Sequence, residues 1–159
     1  MGQEEKMSDD TALRERNMEI VREYLEAINR WDFDKKRELL AEDAVQDMAY
    51  APEPFERVFR GRETILSFVE TIPALIDCEN LHDIWMDTLA SDPGEIVCTY
   101  KSDMEIKPER RPYKNRYITR WTVRDEKITY FGEFFDPIPL LVALGGSVEP
   151  GKLEAGEAA

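Results

Sequence analysis

The chain has 159 residues, with 34 Asp plus Glu against 21 Lys plus Arg and a net charge of −13. That length suits one compact domain, and 42% hydrophobic residues with 10% aromatics supply a real core. The acidic balance argues against nucleic-acid and anionic-lipid partners, both of which need clustered Lys and Arg.

Cys78 and Cys98 are too few for a disulfide framework and read as small core residues in a reducing compartment. The single histidine, His82, leaves little scope for a zinc site. It falls on one face with Ile84 and Met86 and reads as a satisfied or solvated side chain. The N-terminal MGQEEKMSDD lacks the basic-then-apolar order of a signal peptide, and the apolar run from Ile138 to Gly146 is too short to span a bilayer. The expectation is a soluble, cytoplasmic protein that needs no membrane partner.

In chain order, residues 1–10 lack periodicity and read as a disordered acidic tail, ahead of a single domain over 11–145. Met18, Val21, Leu25 and Ile28, widened by Ile20 and Tyr24, predict an amphipathic helix between Thr11 and Asn29. A turn at Trp31 to Asp34 follows. Asp34 then opens a short helix through Leu40, with Lys35, Lys36 and Arg37 on its wet side. Asp43 to Tyr50 is a candidate strand, and Gly61 precedes a third helix burying Ile65, Phe68, Val69 and Ile72, ended by Pro73. Four strand-like runs follow: Leu81 to Leu89, Glu95 to Ile106, Tyr113 to Val123 and Lys127 to Asp136. Residues 146–159, rich in Gly, Ala, Glu and Pro, read as a flexible tail. Helices followed by an antiparallel meander give an α+β fold, with helices packed on a curved sheet.

Alternate residues of a strand share a face. Read by odd and even numbers, Lys101, Asp103, Asn115, Tyr117, Thr119, Trp121, Phe131 and Glu133 line one side. That is a set of polar groups in an aromatic wall, the composition of a small-molecule site. The even-numbered Tyr100, Met104, Tyr130 and Phe134 read as an interface with a second copy. Glu133, between Phe131 and Phe135, would lose hydration and rise in pKa, which suits proton transfer. Lys101 beside Asp103 could pair a cation with a carboxylate around a substrate oxygen.

The order of elements resembles the nuclear transport factor 2-like superfamily, a curved sheet wrapped by helices into a cone. The phrases that carry it are VREYLEAINRWDFD (Val21 to Asp34), ELLAEDAV (Glu38 to Val45), RGRETI (Arg60 to Ile65) and EKITYFGEFFDP (Glu126 to Pro137). DIWMDTLASDPGEIVCTY, and the stretch from Tyr113 through Asp136-Pro137 to Gly145, are similar to the phenazine biosynthesis A/B family. That resemblance implies an acid/base role for Glu133, while Phe68 stands where the family's partner histidine falls. Limonene epoxide hydrolases suggest Lys101, Asp103 and Glu133 as a hydrolytic set, with Lys in place of Arg. Ketosteroid isomerases suggest Tyr24 as an oxyanion tyrosine and put their base within one position of Asp47. Thr119 stands where their protonated aspartate should be.

The expectation is therefore a lyase or isomerase without metal or organic cofactor. It would act on a hydrophobic, aromatic or polyketide-like molecule. Glu133, Asp103 and Lys101 are the catalytic candidates; Tyr24, Asp47, Asn115, Tyr117, Thr119, Trp121 and Phe131 are the substrate-binding ones. A homodimer is expected from the apolar alternation and the family's habit. Three alternatives stay open: an epoxide-hydrolase-like reaction, elimination of formaldehyde from lignin-derived diarylpropanes, and a non-catalytic binding or assembly module.

Overall fold

In the computed structural model, which describes residues 3–149, the first amphipathic stripe closes a long helix, α1 (Gln3–Arg30), onto a sheet. Ile20, Val21, Tyr24 and Leu25 are each no more than 1% exposed. The helix starts at Gln3, so most of the stretch read as an acidic tail is helical. Its first turns show no apolar period because they lie ahead of the stripe that meets the sheet. The C-terminal tail lies outside the described residues from position 150 onward.

Trp31 ends α1 in the left-handed region at φ 56°. Its N–H bonds the Ile28 carbonyl at 3.2 Å, and the Asp32 N–H bonds the Ala27 carbonyl at 2.9 Å. This double closure is an established way to end a helix, here with a bulky residue at the position glycine prefers. Asp32 then caps α2 (Phe33–Leu39), its side chain accepting from the Lys35 N–H at 2.9 Å.

β1 (Leu40–Asp47), β2 (Val58–Arg60), α3 (Arg62–Val69) and a single 3-10 turn at Ile72–Ala74 follow. The meander is β3 (Leu81–Leu89), β4 (Asp92–Ile106), β5 (Arg111–Arg124) and β6 (Lys127–Phe135), and α4 (Pro137–Ala143) closes the domain. The curved, open sheet has six strands in the order β2-β1-β6-β5-β4-β3. Asp125 and Glu126, both at positive φ, form the tight β5–β6 hairpin whose twist suits the flanking strands.

Three features depart from expectation. β1 runs parallel to β6, so the sheet is mixed rather than antiparallel throughout. β2 is three residues long, too short for alternation to register in sequence. The apolar run after Asp136 is a fourth helix, started by Pro137 and capped by the Asp136 carboxylate accepting from the Ile138 N–H at 2.9 Å. Among the described residues no helix is long and apolar enough to cross a membrane.

Register decides which side chains meet. Across β4 and β5, Cys98 pairs with Thr119, Tyr100 with Tyr117 and Ser102 with Asn115, so even numbers face odd ones. Across β5 and β6, Tyr117 pairs with Phe135, Thr119 with Glu133 and Trp121 with Phe131, odd with odd. The inner face therefore joins even residues of β4 to odd residues of β5 and β6. Lys101 and Asp103 lie on the outer face, a correction to the shared face inferred from number parity alone. At the centre of the inner face Trp121 stacks on Phe131 at 3.9 Å, and Tyr24 of α1 meets both rings edge-on at 5.5 and 6.2 Å.

Candidate active site

Between the inner face and the helices lies a cavity of about 200 Å³. Its wall is largely apolar: Ile28, Met48, Phe55, Phe68, Ile72, Leu75, Met104 and Ile106 among others. Tyr24, Lys36, Gln46, Glu79, Tyr100, Tyr113, Tyr117 and Glu133 supply polar atoms. A few polar groups in an apolar concave wall is the general form of a small-molecule site.

Glu133 stands on β6 beside the Trp121–Phe131 stack and opposite Thr119. The Tyr100 hydroxyl of β4 donates to Glu133 Oε2 at 2.8 Å. Loss of hydration pushes the Glu133 carboxyl up to about 7; the Tyr100 hydrogen bond opposes this and the Glu79 carboxyl adds to it. Tyr100 is itself raised well above the ordinary tyrosine value by burial and by the neighbouring carboxylate, so it remains a donor. Beside this pair the Tyr117 hydroxyl lies 3.1 Å from both Ser102 Oγ and the Tyr113 hydroxyl. Asn115 Nδ2 donates to the Tyr113 hydroxyl at 3.1 Å and to the Asp136 carbonyl at 2.8 Å, fixing the end of β6.

A second group of polar residues comes from outside the sheet. Lys36 is only 1% exposed, with its ammonium 5.1 Å from the Phe33 ring centre and 5.8 Å from that of Trp31. Burial lowers its pKa, against the pull of Glu79 and Asp32. Glu79, on the segment before β3, is pushed up to about 7 by desolvation, with Lys36 drawing it back down.

Of the residues singled out in sequence, Glu133, Tyr24, Tyr117 and Phe131 line the cavity. Asn115 stands behind Tyr113. Thr119 and Trp121 are fully buried in a closed network: Trp121 Nε1 donates to Thr119 Oγ1 at 2.8 Å, and that hydroxyl to the Cys98 carbonyl at 3.1 Å. Asp47 turns to the opposite side of β1 from Gln46 and accepts from the Tyr130 hydroxyl at 3.3 Å. Lys101 pairs with Asp83 at 2.7 Å, and Asp103 with Lys114 at 2.8 Å, on the outer face. The structure thus does not bring Lys101 and Asp103 together with Glu133.

Sequence reasoning missed five of the polar cavity residues, Tyr113 at the start of β5 among them. Tyr100 fell with the outer face through the parity error, and Gln46 lay unremarked in the first strand. Lys36 was grouped with Lys35 and Arg37 as wet, although it stands three residues after Phe33 and three before Leu39, on the apolar side. Glu79 lies in an irregular segment and carries no periodic signal.

Residues 21–131 match the family model of the SnoaL-like domain. The uncharacterized protein YesE of Bacillus subtilis (strain 168) is 24% identical over 135 residues, covering 84% of this chain and 90% of YesE. The phenazine biosynthesis-related protein PhzB2 of Pseudomonas aeruginosa superposes with a TM-score of 0.78 at 20% identity, covering 96% of this chain and 99% of PhzB2. A polyketide cyclase-like protein of Xanthomonas campestris gives 0.72 at 24%, covering 83% and 98%. The two structural likenesses establish the fold alone. With the family model matched over more than half of its length, the chain belongs to the SnoaL-like domain family and has the nuclear transport factor 2-like fold.

Proposed function

We propose that this protein is an acid/base enzyme, a lyase or isomerase, acting on a small hydrophobic molecule held in the cavity. Glu133 is its proton-transfer residue. The observation that carries this reading is the Glu133 carboxyl in an apolar cavity, hydrogen-bonded by Tyr100 at 2.8 Å and raised to about 7. A carboxyl near neutral in pKa can take a proton from carbon or oxygen and return it at ordinary pH. Tyr100 fixes which oxygen is free to do so. The SnoaL-like family includes cyclases, isomerases and hydrolase-like enzymes, so the family accommodates the reading. The hydrolase alternative has less support, because Lys101 and Asp103 are engaged on the outer face.

The partner we propose is a second copy of the chain, docked on the outer face of the sheet. Trp85, Thr99, Ile118 and Phe134 lie in register across β3 to β6, with Trp85 and Ile118 each 57% exposed. Tyr50 extends this row, its ring 5.9 Å from Phe134.

The enzymatic reading is tested by incubating metabolite extracts with wild type and with Glu133→Gln and comparing them by untargeted mass spectrometry. A feature consumed by wild type alone is the expected result. Its product mass assigns the class: an unchanged mass means isomerase, a lost water or small carbonyl means lyase. A feature consumed equally by both proteins would overturn Glu133 as the proton-transfer residue.

A further inference from the structure

Lys36 is buried to 1% exposure and lines the cavity, and among the described residues its ammonium makes no hydrogen bond or ion pair, although the charges of Glu79 and Asp32 act on it. Two aromatic rings lie near its ammonium, and neither replaces the three acceptors an ammonium takes in water. Gln46, 6% exposed and lining the same cavity, has its Oε1 without a donor. Buried polar groups are normally satisfied, so the unpaired Gln46 oxygen and the Lys36 ammonium on a single cavity mark where a ligand's own polar atoms bind.

We propose that Lys36 is the oxyanion-binding residue of this cavity and that the substrate is an enolisable carbonyl compound whose oxygen accepts from the Lys36 ammonium. This rests on the proposed role of Glu133. The Glu133 carboxylate takes a proton from the carbon next to the carbonyl. The C–H electron pair moves into the new carbon–carbon double bond, and the carbonyl π pair moves onto the oxygen beside Lys36. The Glu133 carboxylic acid then returns the proton. It goes to the far carbon when a second double bond makes the intermediate a dienolate, and to the opposite face of the same carbon when there is none. The oxygen's electron pair re-forms the carbonyl, and the isomerisation needs no co-reactant. The ammonium meets the charge where it develops, in a site with a largely apolar wall.

Glu79 is a positioning residue in this scheme: its carboxylate favours the charged form of Lys36 against the burial that disfavours it. The titratable groups around Lys36 are Asp32 on its own helix cap, Glu79 before β3, and Tyr24, Tyr100, Tyr113, Tyr117 and Glu133 across the cavity. The tyrosines are held protonated by burial, and of the carboxylates Glu79 acts most strongly on Lys36, with Asp32 next.

The probe is 4-nitrophenol, a phenol whose anion is coloured and imitates an enolate oxygen. Wild type is expected to bind it as the anion. Lys36→Met should weaken binding at least about tenfold and remove the anion's colour, because a charge-assisted hydrogen bond is lost. Lys36→Gln, which keeps a polar side chain, should do the same, and Lys101→Met on the outer face should change neither. Glu79→Gln should leave binding at low pH but make anion binding fall away at a lower pH than in wild type, as Lys36 loses its proton sooner. Wild type failing to bind the probe, or both Lys36 variants retaining its affinity and colour, would overturn the proposal. Because Glu133→Gln leaves Lys36 intact, it should still bind the anion. Loss of turnover in that variant with unchanged probe binding in the Lys36 variants would sink the Lys36 proposal and leave the Glu133 reading standing.

Discussion

At the scale of single residues, the site depends on one carboxyl being costly to ionise. Glu133 titrates near 4.5 in the unfolded chain and near 7 in the cavity. Between those values the folded protein holds a proton that the unfolded chain has released. Its contribution to stability is therefore complete below about pH 4.5 and is lost as pH rises through 7. Glu133→Gln has no charge to bury, so its stability relative to wild type should climb across that window by an amount on the order of 3 kcal/mol. Urea titrations at pH 5 and pH 8 measure it, and an equal difference at both would contradict the burial argument. Tyr100 acts in the opposite direction, since its hydrogen bond stabilises the carboxylate. Tyr100→Phe should raise the Glu133 pKa further and move the acidic limb of the activity profile to higher pH. An unmoved limb would mean that this hydroxyl does not act on the ionising oxygen.

At the scale of elements, the strands of the meander and the face of α1 were legible in sequence because both rest on periodicity. The pairing between strands was not. A sequence shows which residues of one strand share a face, while hairpin geometry decides which face of the next strand they join. The β4–β5 connection pairs even with odd, and that single offset moved Tyr100 inward and Lys101 outward. Lys36 shows a related failure: in a seven-residue helix, three consecutive basic residues outweigh the apolar spacing from Phe33 to Leu39. Gly94 helps hold the β4–β5 register. A Cβ there would stand 2.4 Å from the Val123 carbonyl oxygen, a backbone atom that cannot swing aside. Gly94→Ala should therefore destabilise the fold by about 1–3 kcal/mol, read as a lowered Tm with the cavity chemistry intact. An unchanged Tm would show that the two strands separate there without cost.

At the scale of the whole molecule, the curved sheet has two faces with different tasks. The inner face is closed by helices around the cavity; the outer one carries an exposed apolar row crossed by ion pairs such as Lys101–Asp83. If a second copy covers that row, Ile118→Glu should convert a dimer to a monomer in analytical ultracentrifugation without altering the Glu133 site. A monomeric wild type would contradict the docking proposal. The fold family was legible from its phrases, since VREYLEAINRWDFD and EKITYFGEFFDP mark the two elements that bracket the cavity. The Lys36–Glu79 group was not, because it is assembled from a short helix and an irregular segment that only the folded chain brings to one place. The central claim, that the cavity brings Glu133 into the range where it can exchange a proton at neutral pH, is tested most directly by titrating its side-chain carboxyl. Carbon-13 NMR of protein labelled at the glutamate carboxyl carbons, assigned by the signal missing from Glu133→Gln, should show a midpoint near 7. A midpoint near 4.5, the value of a hydrated glutamate, would contradict the account.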